Sequence, residues 1–164
     1  MGARFERKLM AHYINTVFNP TSGTTYELLG EDLAEYSVEM NPIISVERNV
    51  LDQDVIYHDG YEPTASVTPY YARAGSGLFS ALQSVIDHSY SGNKCKTYIV
   101  EVHLWDKVGT NLYRAVRRTA YVGIDSFGGD TSGYQIPFTL TIQTSGQTTG
   151  NFNVSTNTFS AQDW

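Results

Sequence analysis

An acidic stretch, residues 27–62, has the greatest capacity for chemistry in this sequence. It holds ten carboxylates and a single base, Arg48. Two carboxylates a few ångströms apart can act as the acid and base of a glycosidase, so a catalytic pair is one interpretation. Solvated acidic loops are far more common than such pairs and are therefore favoured. The acids are Glu27, Glu31, Asp32, Glu35, Glu39, Glu47, Asp52, Asp54, Asp59 and Glu62.

Other residue types that carry chemistry are present, but their spacing is not that of a known site. The glycine-rich FGGDTSG (residues 127–133) lacks the Gly-Lys-Ser/Thr ending of a phosphate loop and leads into a strand, which favours a hairpin loop. No Gly-x-Ser-x-Gly nucleophile elbow occurs. The histidines are too scattered for a metal site, and they are His12, His58, His88 and His103. We therefore predict no catalytic residue, cofactor or metal, and a protein that is not an enzyme.

Basic residues gather in the second half of the chain, between residues 94 and 118. A row of bases that binds nucleic acid is one interpretation. However, the chain has 17 acids and only 11 bases, so an acidic protein partner is favoured. The acidic stretch and these bases are complementary, which predicts contacts between subunits. The candidate contact residues are Glu47, Asp52, Asp54, Asp59, Lys94, Lys96, Arg114, Arg117 and Arg118.

Composition limits the class of protein further. The 164 residues suffice for one domain, residues 1–164, with a real core. Only 17% of them are charged, and such a neutral surface suits burial against partners. A net charge of -6 disfavours a dedicated nucleic-acid binder. The single cysteine, Cys95, and an N-terminus without a signal-peptide core predict synthesis in the cytoplasm.

The elements that must position these residues are mostly strands. In residues 134–144, YQIPFTLTIQT, apolar side chains alternate with uncharged polar ones, which predicts a strand with one wet face. Pro137 makes that strand an edge or interrupts it. The same alternation predicts strands at residues 9–18, 26–29, 36–40, 43–50, 97–105 and 112–125. Loops are predicted at residues 106–111 and 127–133. The last three long strands form an antiparallel meander.

Three segments differ from this pattern. Apolar residues at helical spacing, from Leu78 to Ile86, predict one helix over residues 76–90 with Ser76 as its cap. The alternation weakens in residues 46–63, which predicts an extended arm or loop. The polar residues 145–164 predict a last hairpin ending near Ala161. The sequence therefore indicates a mainly β fold, an antiparallel β-sandwich or barrel with one flanking α-helix.

Several of these segments together resemble the major tail proteins, also called tail tube proteins, of tailed bacteriophages and prophages. The similarity is to the type common in phages of Gram-positive hosts and covers nearly the whole chain. Its most specific part is GGDTSGYQIPF, residues 128–138. The other segments are HYINTVF, YELLGEDLAEYSVEMNP, GYEPTASVTPYYA and TYIVEVHLWD.

The resemblance implies a structural virion protein rather than a catalyst. Subunits of this family form hexameric rings whose inner sheets join into one barrel, and the rings stack into a hollow tube through which the genome is ejected. The implied partners are further copies and other tail proteins, such as the tape measure, tail terminator and distal tail proteins. DNA is expected to pass through the lumen without specific binding, and no membrane is involved.

Two hypotheses concern how such a tube would work, and one competing class remains open. The acidic arm is expected to meet bases of a neighbour, so charge reversal at Asp52, Asp54 and Asp59 should stop tubes but not folding. The lumen is expected to be neutral or acidic, so that it repels phosphates. The alternative is a monomeric β-sandwich module for adhesion or carbohydrate binding, which would use aromatic faces against sugars.

Overall fold

A computed structural model describes residues 2–19, 23–30, 33 and 35–164. This part of the chain contains one α-helix, α1 (Gly77–His88), and thirteen strands. The fold is mainly β, with a curled antiparallel sheet and one flanking helix, as predicted. The strands are β1 (Met10–Asn15), β2 (Tyr26–Leu29), β3 (Val38–Glu39), β4 (Pro42–Arg48), β5 (Asp54–Tyr61), β6 (Thr64–Val67), β7 (Lys96–Gly109), β8 (Leu112–Ile124), β9 (Gly128–Asp130), β10 (Gly133–Gln135), β11 (Phe138–Ile142), β12 (Thr148–Asn153) and β13 (Thr158–Ala161).

Among the described residues, nine strands form one sheet, and two separate hairpins stand apart from it. The sheet runs β2-β1-β7-β8-β11-β6-β3, and the hairpin β12-β13 joins it through β8. Strand β8 is long enough to serve two neighbours on one edge: its first half pairs with β12 and its second half with β11. The sheet therefore divides beyond β8, and each branch covers a different face.

Each branch of the sheet closes its own core. Because side chains alternate along a strand, Tyr13 and Val100 point to one face, while Ile14 and Ile99 point to the other. The helix-side core lies under α1 and includes Ile14, Leu29, Tyr36, Ala65, Val67, Leu78, Leu82, Ile99, Ala120, Val122, Ile136, Phe138, Leu140 and Ile142. The hairpin-side core lies under β12-β13 and consists of Tyr13, Tyr26, Val100, Val102, Ala115 and Phe152. The first strand, β1, is therefore covered on both faces.

The helix begins where the sequence predicts, at its Ser76 cap, whose hydroxyl accepts a hydrogen bond from the backbone N–H of Phe79 at 3.3 Å. Its start is also held by a carboxylate from the edge strand β2. Glu27 accepts bonds from the Ser76 hydroxyl, at 2.9 and 3.1 Å, and from the backbone N–H of Leu78, at 3.1 Å. A carboxylate here satisfies donors that a helix leaves unpaired and complements the positive end of its dipole. Glu27 thus ties the edge of the sheet to the helix.

We expect Glu27→Ala to lower the free energy of unfolding by about 1–2 kcal/mol, because it leaves the Leu78 N–H and the Ser76 hydroxyl without this acceptor. Glu27→Gln keeps one acceptor and should lie between Glu27→Ala and the native protein. Urea denaturation measures the difference. Glu47→Ala is the matched control, since it removes a carboxylate from an exposed strand position. A Glu27→Ala protein as stable as Glu47→Ala would contradict this role.

The predicted strand over residues 134–144 is two strands, β10 and β11, separated by Ile136 and Pro137. The interruption at Pro137 is confirmed, but the edge alternative is wrong because β11 lies between β6 and β8. Ile136, Phe138 and Leu140 are fully buried, whereas Tyr134 is 40% exposed. Tyr134 instead belongs to the small hairpin β9-β10, whose first strand lies where FGGDTSG was predicted to be a loop.

Two other elements differ from their predicted bounds, and a third ends where the sequence predicts. The prediction of a loop at residues 106–111 is wrong in part, because β7 continues to Gly109. Its register with β8 shifts along this extension. The strand expected at residues 36–40 is reduced to β3, and Met40 is exposed. The polar terminal hairpin exists and β13 ends at Ala161, but Phe152 within it is fully buried.

Candidate functional site

The most unusual surface is a β-hairpin formed by β4 and β5, residues 42–61, which we call the arm. The segment expected as a loop or arm at 46–63 is this hairpin, and β5 in it was not predicted. The two strands form a sheet of their own, and all seven residues of β4 are exposed. A two-stranded hairpin without a core to pack on is only marginally stable in water. The arm is therefore an exposed hairpin that gains little stability from packing on its own chain.

One face of the arm carries a row of exposed β-branched residues. Val46 lies directly opposite Ile56, and Ile44 lies opposite His58 on the same face. The exposed fractions of Ile44, Val46 and Ile56 are 54%, 62% and 69%, and we call these three residues the apolar stripe. A contiguous apolar surface of this kind is typical of a protein–protein contact.

The turn at the end of the arm is stabilised by its own side chains. The Asn49 side-chain oxygen accepts hydrogen bonds from the backbone N–H groups of Leu51 and Gln53, at 2.9 and 3.1 Å. Val50 and Leu51 project from this turn and are 102% and 72% exposed. An ordered turn that displays two apolar side chains adds to the surface offered by the stripe.

The predicted acidic contact residues all lie on the arm. Asp52 and Asp54 form ion pairs with Arg48 of the same hairpin. Glu47 lies opposite Val55, on the face away from Val46. Asp59 lies where the register shifts, between the residues that pair with Ile43 and Ile44. Exposed ion pairs contribute about 1 kcal/mol or less, so Asp52 and Asp54 remain able to exchange Arg48 for another partner.

The predicted basic contact residues do not form one patch. Along β8, Arg114 and Arg118 point to the helix side, and Arg117 points to the hairpin side, where it covers the Tyr98 ring at 4.5 Å. Arg118 pairs with Glu101 at 3.4 Å, and Arg114 with Asp106 at 3.6 Å. The remaining two candidates are Lys94, which lies over the Tyr90 ring, and Lys96, which begins β7. The bases are thus spread over both faces of the sheet, and four of the five have a charged or aromatic partner in the same chain.

The outer face of β6 and β11 is a flat array of hydroxyl groups, which we call the hydroxyl face. Thr139 lies opposite Ser66, and Thr141 lies opposite Thr64. The Thr139 hydroxyl donates to Asp125 at 2.9 Å. A shallow groove here is also lined by acidic side chains of the neighbouring segment; its lining residues are Glu35, Ser37, Glu39, Thr64, Ser66, Thr68 and Thr139. Strands β3, β6 and β11 contain no lysine or arginine, so this face is neutral to acidic.

Among the described residues, the path β2-β1-β7-β8-β12-β13 through the curled sheet has an open edge at each end, and the other branch ends in a third open edge, β3. In the described part of the chain, β2 pairs on one side only, with β1, and β13 pairs on one side only, with β12. Strands β2 and β13 have four residues each. Unpaired backbone groups on such edges can add the strand of another chain.

A buried polar cluster lies beneath the N-terminal segment, and no sequence pattern predicts it. His12 is 8% exposed and packs on Tyr36, with 4.5 Å between ring centroids. The Arg7 guanidinium donates to the backbone carbonyls of Met10 and Tyr36, at 2.7 and 3.0 Å. Burial, aided by the nearby Arg7 charge, lowers the pKa of His12 to about 4. Burial and the Glu101 carboxylate raise the pKa of Tyr36.

Other side chains pack against both tryptophan rings, although Trp105 stays 39% and Trp164 47% exposed. Trp105 is stacked between His103 and Phe5, with centroid separations of 4.7 and 5.1 Å. Arg114 lies over the ring of Trp164 at 5.4 Å. A sugar-binding platform needs an open aromatic face, and these contacts reduce the open area of both rings.

Comparison with protein-family models and with curated proteins gives no match to this chain. In residues 2–19, 23–30, 33 and 35–164, no three His, Cys, Asp or Glu side chains are grouped so that they could hold a metal ion. The helices within these ranges are all too short or too polar to cross a membrane.

Proposed function

We propose that this protein is a tail tube protein of a tailed bacteriophage or prophage. Its copies form hexameric rings, and the rings stack head to tail into the hollow tube through which the genome is ejected. Head-to-tail stacking is a heterologous contact, which propagates as an open filament. The resemblance of its sequence segments to that family suggests the proposal, and three features of the fold support it.

The arm is the observation that carries the proposal. It offers the apolar stripe and the projecting Val50 and Leu51, and its own chain covers neither. Removing apolar surface from water is worth about 25 cal/mol per Å², so a copy that covers the arm gains stability from it. In the proposed tube the arm reaches a subunit of the next ring, where its acids also meet basic residues.

The open edges at β2 and β13 support closure within a ring. A subunit with unpaired strands at both ends of the path from β2 to β13 can join a copy on each side, and six copies would then close one continuous barrel. Closure would remove both edges, so that tubes rather than disordered aggregates result. The other tail proteins named above would contact only the tube ends or the interior.

The hydroxyl face supports passage of DNA without capture. A lumen lined by Thr64, Ser66, Thr139 and Thr141, with carboxylates beside them, would not neutralise phosphates and so would not hold DNA. Lys96 lies at the margin of this face, opposite Tyr121 of β8. A ring of lysine or arginine at the narrowest radius of the assembled tube would count against this part of the proposal.

Electron microscopy of the purified, concentrated protein tests the proposed function. We expect rings and tubes with a central channel, and a shift from monomer to large species in sedimentation as concentration rises. A monomeric carbohydrate-binding module, the competing class, would stay small at every concentration. Monomers that persist at high concentration, even with the other tail proteins present, would refute the proposal.

A further inference from the structure

The arm joins the rest of the described chain, which we call the body, through a short junction. The junction has two residues on each of its two connecting segments. On the body side, Glu39 of β3 pairs with Thr64 of β6 within the main sheet. On the arm side, Pro42 of β4 pairs with Tyr61 of β5 in the separate sheet. Residues 40–41 and 62–63 therefore connect two ladders that belong to different sheets. The direction of the arm is decided within these four residues.

Pro63 belongs to the body and cannot swing with the arm. It is buried, and its carbonyl accepts a hydrogen bond from the backbone N–H of Ile142 at 2.9 Å. Its ring also fixes the φ angle of the chain that returns from the arm. Any change in the direction of the backbone at the junction therefore lies in the segment that leads into the arm, at Met40 and Asn41.

Asn41 spans the junction with both its backbone and its side chain. Its φ angle is 46°, a left-handed conformation that asparagine tolerates better than most residues. Its side-chain N–H groups donate across the junction to the Glu62 carbonyl at 3.0 Å and to the Thr64 hydroxyl at 3.2 Å, and lie 3.4 Å from the Glu39 carbonyl. The Glu62 N–H donates back to the carbonyls of Met40 and Asn41. One side chain thus ties the residue that precedes the arm to the return segment at Glu62 and to β3 and β6.

We propose that Asn41 is the positioning residue of the arm, and that its side-chain amide fixes the direction in which the arm leaves the body. The strands of the arm are exposed along their length, so packing cannot fix that direction. A hairpin held in one direction loses less freedom when it docks, which favours binding. The consequence for assembly rests on the proposed function, whereas the fixed direction is a property of the monomer.

Asn41→Gly tests the contribution of the side-chain amide separately from that of the left-handed backbone conformation. Glycine adopts the left-handed φ without cost, so this variant keeps the turn and removes the amide. Asn111→Gly is the matched control, because Asn111 has a similar φ of 56° in the β7-β8 turn, far from the arm in sequence. Asn41→Asp is a second test, since it keeps the shape but places an acceptor against the Glu62 and Glu39 carbonyls.

The direction of the arm is measured on the monomer by pulsed electron spin resonance. Spin labels on Gln53→Cys in the arm turn and Ser145→Cys on the body, with Cys95→Ser as background, report one distance distribution. We expect a narrow distribution for the native junction and for Asn111→Gly, and a broad one for Asn41→Gly and Asn41→Asp. Exchange of the Glu62 N–H should become roughly tenfold faster in Asn41→Gly, as lost hydrogen bonds predict.

A distribution for Asn41→Gly as narrow as the native one would overturn the proposal, and so would a native distribution as broad as that of the variant. The critical concentration for tube growth should rise roughly tenfold in Asn41→Gly, because docking must then order the arm. A native protein that never forms tubes, but whose arm loses its direction in Asn41→Gly, would refute the proposed function and leave this inference standing.

Discussion

Val46→Ser combined with Ile56→Ser should abolish tube formation and leave the monomer as stable as the native protein. The two residues lie directly opposite each other in the apolar stripe and are 62% and 69% exposed. Since neither side chain supports the body of the monomer, urea denaturation should show an unchanged midpoint. Electron microscopy and sedimentation should show monomers at concentrations at which the native protein forms tubes.

The size of this effect follows from the apolar area that docking would bury. Losing two β-branched side chains from a buried contact costs about 2–4 kcal/mol, a factor of roughly thirty to a thousand in affinity. Each ring of the proposed tube repeats the contact in every subunit, so the losses combine along the tube. A moderate change in one contact is therefore expected to prevent assembly altogether.

The matched control exchanges the two residues, Val46→Ile with Ile56→Val. It keeps the apolar area, the β-propensity and the combined volume of the pair, so tubes should form at the native concentration. Tubes from the serine variant at that same concentration would show that the stripe is not the contact. Charge reversal at Asp52, Asp54 and Asp59 stays a separate prediction: if it alone blocks growth, the acids and not the stripe hold the rings together.

The elements that follow one period without interruption could be predicted from the sequence. The helix is marked by Leu78, Leu82 and Val85 on one face and by the Ser76 cap, which act within a few residues of each other. The strand β8 alternates over its whole length, and its neighbours β7 and β11 were correctly placed beside it. Local signals suffice where local geometry decides the structure.

The elements that contain an irregularity could not be predicted in full. In β5 the alternation of Val55 and Tyr57 is broken by Asp59, where the register with β4 shifts. In β7 the register shifts again beyond His103, so the strand continues past the point where its periodicity ends. A bulge moves later side chains to the opposite face, and a search for one fixed period then reads the remainder as a loop.

The candidate surfaces depend on what the chain leaves uncovered, and sequence patterns do not record this. Isoleucine and valine alternate in β4 as they would in a buried strand, yet every residue of β4 is exposed. Conversely, Phe152 lies in a polar segment and is fully buried against Tyr13, with ring centroids 4.4 Å apart. Burial is decided by which distant strands meet, so the apolar stripe and the hairpin-side core could be found only in three dimensions.

The buried His12 leads to the second prediction, a loss of monomer stability in mild acid. The folded chain keeps His12 neutral until its lowered pKa of about 4, whereas an unfolded chain takes up the proton near pH 6.5. Between these values unfolding binds a proton, so the free energy of unfolding falls as the pH falls through this window. The loss attributable to His12 should reach about 3 kcal/mol near pH 4, from the size of the pKa difference.

The groups around His12 determine how this loss is isolated. Glu101 of β7 lies opposite it and is paired with Arg118 of β8, while Arg7 and Tyr36 cover it from the N-terminal side. Carboxylates elsewhere also titrate below pH 5, so the native curve alone does not identify the histidine. His12→Phe keeps an aromatic ring against Tyr36 and removes the group that binds the proton. Between pH 6.5 and 4, its free energy of unfolding should fall by about 3 kcal/mol less than that of the native protein.

Urea denaturation of dilute monomer at pH 7, 6, 5 and 4 measures this difference. His58→Phe is the matched control, because it makes the same substitution on the exposed arm and should keep the native pH dependence. Parallel curves for the native protein and His12→Phe would show that His12 carries no excess acid sensitivity. A difference confined to the window between pH 6.5 and 4 assigns the acid sensitivity to this buried imidazole, since the variant differs from the native chain at that ring alone.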